Sequence, residues 1–174
     1  MSLKNTNVLR NSRMLDQLYE QSYEAGRNAS NINLLYDEFV GFYQCADKYK
    51  HIIGHDVHSM LGWLCGAHNI DLQMYKKWLV QVGIHIASIF QYHELQFVEN
   101  RMMSVLSKID CIEVVEIINQ CILFLYHISK REHPYPDMKD KILLLCLETL
   151  YIKTIDRKQE LQIQQVGLGD IKIH

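Results

Sequence analysis

Apolar positions recur at threes and fours along most of this chain, which is the period of an α-helix. The clearest run is Leu72 to Ile89, where Leu72, Tyr75, Leu79, Val82, Ile86 and Ile89 form one stripe. The same spacing predicts a helix over Ser12–Ala25, with Leu15, Leu18 and Tyr19 on a shared face. A second covers Leu34–Lys48, with Leu35, Phe39 and Phe42 as the stripe and Tyr43 beside it. "HIIGHDVHSMLGWLCG", from His51, predicts another, in which Gly54 and Gly62 either weaken the helix or let a neighbour approach closely. Further helices are expected over Glu94–Ser107, Cys111–Lys130 and Asp137–Asp156.

Punctuation residues fit these elements. Gly26 stands where a helix C-terminal glycine belongs, and "AHNID" is a break in which Asn69 or Asp71 can cap the following helix. The two prolines, Pro134 and Pro136, sit together in "REHPYPD", and Pro136–Asp137 is a good helix start. After residue 156 the pattern changes. "LQIQQVGLGDIKIH" alternates apolar and polar residues around glycines, which reads as an extended tail or hairpin. The expectation is an all-α single domain of six or seven helices over residues 1–156, followed by a short extended C-terminal tail over 157–174.

Bulk composition narrows the function classes. A chain of 174 residues with 48% hydrophobic content suits one domain that buries about 70% of its unfolded surface. Its 18 basic and 20 acidic residues give a net charge of −2, so the basic footprint of a nucleic-acid binder is missing. No membrane association is expected, because the greasiest segment, Ile117–Leu125, is interrupted by Asn119 and Gln120. The polar start "MSLKNTNVLRNSR" lacks a signal-peptide core, and the five cysteines show no C-x-x-C pair. Together these point to reduced thiols in a cytoplasmic protein.

Nine histidines raise the question of metal. His51, His55 and His58 have the spacing to share a helix face, yet no H-E-x-x-H and no paired E-x-x-H accompanies them. A partly exposed polar face is the stronger reading. "IIGHDVHSMLG" resembles the phosphoacceptor box of two-component histidine kinases, which would make His55 the phosphoryl acceptor and Asp56 its orienting base. It departs from that box at His58 and Met60, and no nucleotide-binding glycine boxes follow.

A third resemblance covers residues 34–106. "FVGFYQCADKYKHI" and "VGIHIASIFQYHELQFVENRMM" are similar to the B-helix and proximal segments of globin-type sensor domains. Matching Gly83, Ile89 and Arg101 to that pattern puts Ile86, not His85, at the iron-ligand position. The resemblance therefore implies a globin-like fold of the haem-less branch, and no cofactor is expected, haem being the one such a pocket would otherwise take. It also implies an apolar pocket formed by Phe39, Tyr43, Trp63, Val82, His85, Ile86 and Ile89, holding a small apolar ligand such as a fatty acid and signalling to a protein partner. The plain alternative makes Leu79, Val82, Ile86 and Ile89 core residues and His85 a hydrogen-bonded structural histidine.

No nucleophile–base pair, paired carboxylates or phosphate-cradling loop is evident, so catalysis is not expected. Three readings stand: a regulatory ligand-sensing domain, an interaction module of inhibitor or immunity type, and a histidine phosphotransfer protein using His55. The helix from Asp137 is apolar nearly all round, from Ile142 to Ile155. Its second face needs cover, which predicts a homodimer involving the tail.

Overall fold

The computed structural model describes residues 3–29, 47–91 and 95–173, with side chains described at 12–29, 47–91, 95 and 97–167. Among the described residues there are six α-helices and one 3-10 turn, and no strand. They are α1 (Leu3–Arg27), the 3-10 turn Asp47–Tyr49, α2 (His55–Ala67), α3 (Leu72–Ile89), α4 (Leu95–Lys108), α5 (Ile112–Glu132) and α6 (Met138–Ile173). The chain is all-α, as its periodicity predicts. It divides into two compact units, Met1–Ala87 and Ser88–His174. The expected helix over Leu34–Lys48 falls outside the described residues apart from Asp47 and Lys48 in the 3-10 turn.

In the first unit α1 packs tightly on α2. Leu18 and Tyr19 of α1 and Val57, Met60, Leu61, Trp63 and Leu64 of α2 are all 3% exposed or less. Small residues let the two backbones come together. A Cβ on Gly62 would collide with the Ser22 hydroxyl, one on Gly66 with the Tyr23 carbonyl, and one on Gly26 with the Trp63 carbonyl. Gly26 is therefore not the helix-ending glycine its position suggests. It lies inside α1 and makes room for α2.

Helix α2 starts at His55, not at His51. Gly54 has φ 71°, a left-handed conformation that glycine adopts at no steric cost. The preceding residues form successive turns, with Lys50 N–H donating to Asp47, Ile52 N–H to Tyr49 and His55 N–H to Ile52. His51 is thus off the helix, and the three-histidine face does not form. At its other end α2 closes in a Schellman motif. Asn69 takes φ 55° and its N–H donates to the Gly66 carbonyl, while Ile70 N–H donates to Cys65. Asp71 then caps α3, its Oδ1 accepting from the N–H groups of Gln73 (3.0 Å) and Met74 (3.3 Å).

The second unit is built on α5 against α6, with α4 also on α6. Val114, Val115, Ile117, Ile118, Cys121 and Ile122 of α5 are all 0% exposed. This helix is long and apolar enough to cross a membrane. Burial of that face inside the unit accounts for much of its apolar character. Asp137 and Asp140 cap the start of α6 reciprocally: Asp140 N–H donates to Asp137 Oδ1 (2.8 Å) and Asp137 N–H to Asp140 Oδ2 (3.1 Å).

The expected extended tail is a helix. Residues 157–173 continue α6 without a break. Leu161, 4% exposed, extends the buried stripe of Leu143, Leu147, Leu150 and Thr154 at helical spacing. The alternation in "LQIQQV" spans too few residues to outweigh that continuation, and Leu, Gln and Lys are good helix formers. Arg157 fixes the junction. Its Nε donates to the Leu106 carbonyl (2.9 Å), and its Nη2 to those of Ser107 (3.1 Å) and Ile109 (3.0 Å). A guanidinium thereby satisfies the carbonyls that end α4.

Candidate functional site

Two constellations stand out, one in each unit. The first is a buried polar contact that joins three helices. Tyr19 of α1 is 0% exposed and His58 of α2 is 1% exposed. Tyr19 Oη lies 2.8 Å from His58 Nδ1 and 3.0 Å from the carbonyl oxygen of Leu79 in α3. A carbonyl only accepts, so the single phenolic proton goes to Leu79 when both bonds are made. His58 Nδ1 then carries the imidazole proton and donates to Tyr19 Oη. This assigns His58 as the neutral Nδ1–H tautomer.

Burial, and secondarily the charge of His55, depress the pKa of His58 to about 4. Neutral His58 is thus the form that the fold accommodates. Gly83 of α3 completes the arrangement. A Cβ there would lie 2.5 Å from His58 Cε1 and Nδ1 and 3.0 Å from Tyr19 Oη. The small residue two places before His85 therefore makes room for the Tyr19–His58 pair. The contact is closed and fully built into the core, which makes it a fastener of the first unit.

The second constellation is an apolar cleft between α5 and α6. It has a volume of about 280 Å³ and is lined by Leu123 and Tyr126 of α5 and by Leu147, Glu148, Tyr151 and Ile152 of α6. Its polar feature is a hydrogen bond from Tyr126 Oη to Glu148 Oε1, 2.9 Å long. Acceptance by that carboxylate, followed by desolvation and the carboxylate's charge, raises the Tyr126 pKa. The phenol stays protonated and keeps donating. The floor is apolar because the helical period of α5 brings Leu123 and Tyr126 to the side facing Leu147 and Tyr151.

The residues expected to line a sensor pocket are distributed as follows. Phe39 and Tyr43 lie outside the described residues. Trp63 (2%), Val82 (0%) and Ile86 (0%) are buried in the first unit, and Ile89 (0%) is also buried. His85 is half-buried on α3, one residue and so about 100° around the helix from Ile86. His55 is the half-buried first residue of α2, and its carbonyl accepts from Ser59 Oγ (2.7 Å). No group of three or more His, Cys, Asp or Glu side chains among the described residues is placed to hold a metal ion.

None of the described cysteines, Cys65, Cys111, Cys121 and Cys146, is in a disulfide. Burial, with the Glu99 carboxylate beside it, pushes the Cys146 thiol up to about 11, which leaves it protonated and unreactive. Cys111 is partly exposed and donates from Sγ to Glu113 Oε2 (3.1 Å).

Sequence reasoning missed both constellations. His58 was legible only as a member of a polar face and Tyr19 only as a core position. Leu123, Tyr126, Leu147 and Tyr151 carry helical periodicity, but nothing in that periodicity says that a cleft remains between them. No family model, no curated protein and no solved structure matches this chain.

Proposed function

We propose that the protein is a regulatory, ligand-sensing module that takes a small apolar ligand in the α5–α6 cleft. The observation that carries this reading is the make-up of that cleft: an apolar lining with one oriented polar pair at its edge. Ligand sites combine an apolar wall with a few placed polar groups in the same way, and the volume lies just below the lower end of their usual range. The sensing role is taken from the resemblance of residues 34–106 to globin-type sensor domains, which implies a different pocket.

Glu148 narrows the ligand class. Its carboxylate faces the cleft and would repel an anionic head group, so a neutral or cationic apolar molecule fits better than a fatty acid. A ligand seated there touches both α5 and α6. It favours whichever packing of the two helices binds it better, and a partner that contacts α6 reads the difference.

A neutral fluorescent probe, N-phenyl-1-naphthylamine, tests this directly. Leu123→Trp fills the cleft from its half-buried wall. Probe fluorescence is expected to rise on the native protein and to fall back in Leu123→Trp, with helical circular dichroism unchanged. Equal probe binding by the two proteins contradicts the reading.

The second reading, a protein–protein interaction module, is favoured by a different observation: the apolar side chains exposed along α6. A complex that forms normally in Leu123→Trp but not in surface variants of α6 supports it.

A further inference from the structure

Helix α6 carries two apolar faces with different periods. The inner face, Leu143, Cys146, Leu147, Leu150, Thr154 and Leu161, is buried in the second unit. The outer face is exposed: Met138 71%, Ile142 43%, Leu145 63%, Ile152 56%, Ile163 71% and Val166 65%. These six are half of the large apolar side chains exposed among the described residues, and all lie on one helix. Their positions are not scattered. With Ile142 set as position a of a seven-residue repeat, Ile142 and Ile163 fall on a, and Met138, Leu145, Ile152 and Val166 fall on d. The remaining members of the register within α6 are Thr149, Asp156 and Asp170 at a and Gln159 and Ile173 at d.

A straight α-helix drifts about 20° per heptad against such a repeat. An apolar stripe held to it over four heptads lies straight only when the helix supercoils with another helix. The occupant of this face is therefore helical. Length adds to the argument. At about 1.5 Å per residue, α6 spans about 54 Å, and Gln162 to Gly167 are all exposed. A helical segment without packing is marginal in water.

Charge selects the partner. From these observations we infer that the outer face of α6 pairs with α6 of a second copy, in an antiparallel coiled coil centred between Arg157 and Lys158. In that register Asp156 of one copy faces Gln159 of the other, so the charged residue at the centre of the seam meets an amide that donates to it. The flanking Lys153 meets Glu160 of the other copy, whose carboxylate also accepts from Arg157 of its own chain (3.0 Å), and by symmetry both pairings occur twice. Ile152 then opposes Ile163, and Thr149 opposes Val166. A parallel pairing instead stacks Asp156 on Asp156, placing like charges together in the seam. The two-fold arrangement closes on itself and covers the central part of both outer faces, Thr149 to Val166, at once.

The inference does not depend on a ligand in the cleft; Ile152 borders both the cleft and the seam, and the test therefore uses Leu145, Lys153, Glu160 and Val166, which do not line the cleft. Sedimentation equilibrium of the full chain at micromolar concentration is expected to give a dimer. Leu145→Glu with Val166→Glu, both at exposed positions, is expected to give a monomer that loses only the helical signal of the C-terminal turns of α6. Lys153→Glu alone and Glu160→Lys alone should each weaken the dimer at least tenfold at low salt, and the double exchange should restore it. A monomeric full-length chain overturns the inference, as does a dimer that survives Leu145→Glu/Val166→Glu. Failure of the double exchange to restore the dimer overturns the antiparallel register.

Discussion

Acid should unfasten the first unit through His58. In the folded chain its pKa is depressed to about 4, against 6.5 for a solvated histidine. Below pH 6.5 the unfolded chain takes up a proton that the folded chain refuses, so stability falls as pH falls. The contribution is fully present above pH 6.5 and is lost progressively down to about pH 4. The gap corresponds to about 3 kcal/mol in total. About 1.4 kcal/mol of it should be gone by pH 5.5 and nearly all by pH 4. That is a large fraction of the stability of an ordinary domain.

The cause is physical. A proton on the second ring nitrogen puts a charge where residue exposure is 1%, next to a phenol already committed to the Leu79 carbonyl. Urea unfolding of the wild type and of His58→Gln at pH 7.5, 5.5 and 4 measures it. Glutamine keeps a donor for Tyr19 but does not titrate. Carboxylates such as Asp137 and Glu113, whose pKa values are lowered by hydrogen bonds in the fold, also lose stability in acid. They do so in both proteins, so the difference between the two curves isolates His58. Wild type and variant losing stability in parallel from pH 7.5 to 4 would refute the reasoning.

Two further predictions concern packing. Gly26→Ala drives a methyl into the Trp63 carbonyl and forces α1 from α2; an overpacking cost of about 3 kcal/mol, offset by about 1 kcal/mol of helix propensity, leaves a net loss of about 2 kcal/mol in chemical denaturation. Arg157→Met strips the α4 terminus of its guanidinium donors and should cost about 2 kcal/mol, with Arg157→Lys recovering only part because an ammonium lacks the planar fork.

The sequence made the helices legible where periodicity and caps agreed. Leu72–Ile89 was read to the residue because its stripe is unbroken and Asp71 stands before it. The start of α2 was misread because "HII" continues the apolar pattern while the left-handed Gly54 ends it. The tail was misread because a short period-2 run in "LQIQQV" conceals Leu161, which belongs to the stripe beginning at Leu143. The Tyr19–His58–Leu79 contact joins residues 39 and 60 positions apart, and no local pattern encodes such a meeting. The α6 residues read as apolar nearly all round. Only burial separates them into an inner helical stripe and an outer heptad, and that separation gives the second face its meaning.

The central claim is that the cleft between α5 and α6 is the ligand site. Methyl NMR of protein labelled at Ile, Leu and Val, titrated with N-phenyl-1-naphthylamine, tests it most directly. Shift changes are expected at Leu123, Leu147 and Ile152, with Val82, Ile86 and Ile89 unmoved. Changes concentrated at Val82, Ile86 and Ile89 instead, with the cleft methyls silent, would contradict the account and return the ligand to the pocket that the globin-type resemblance implies.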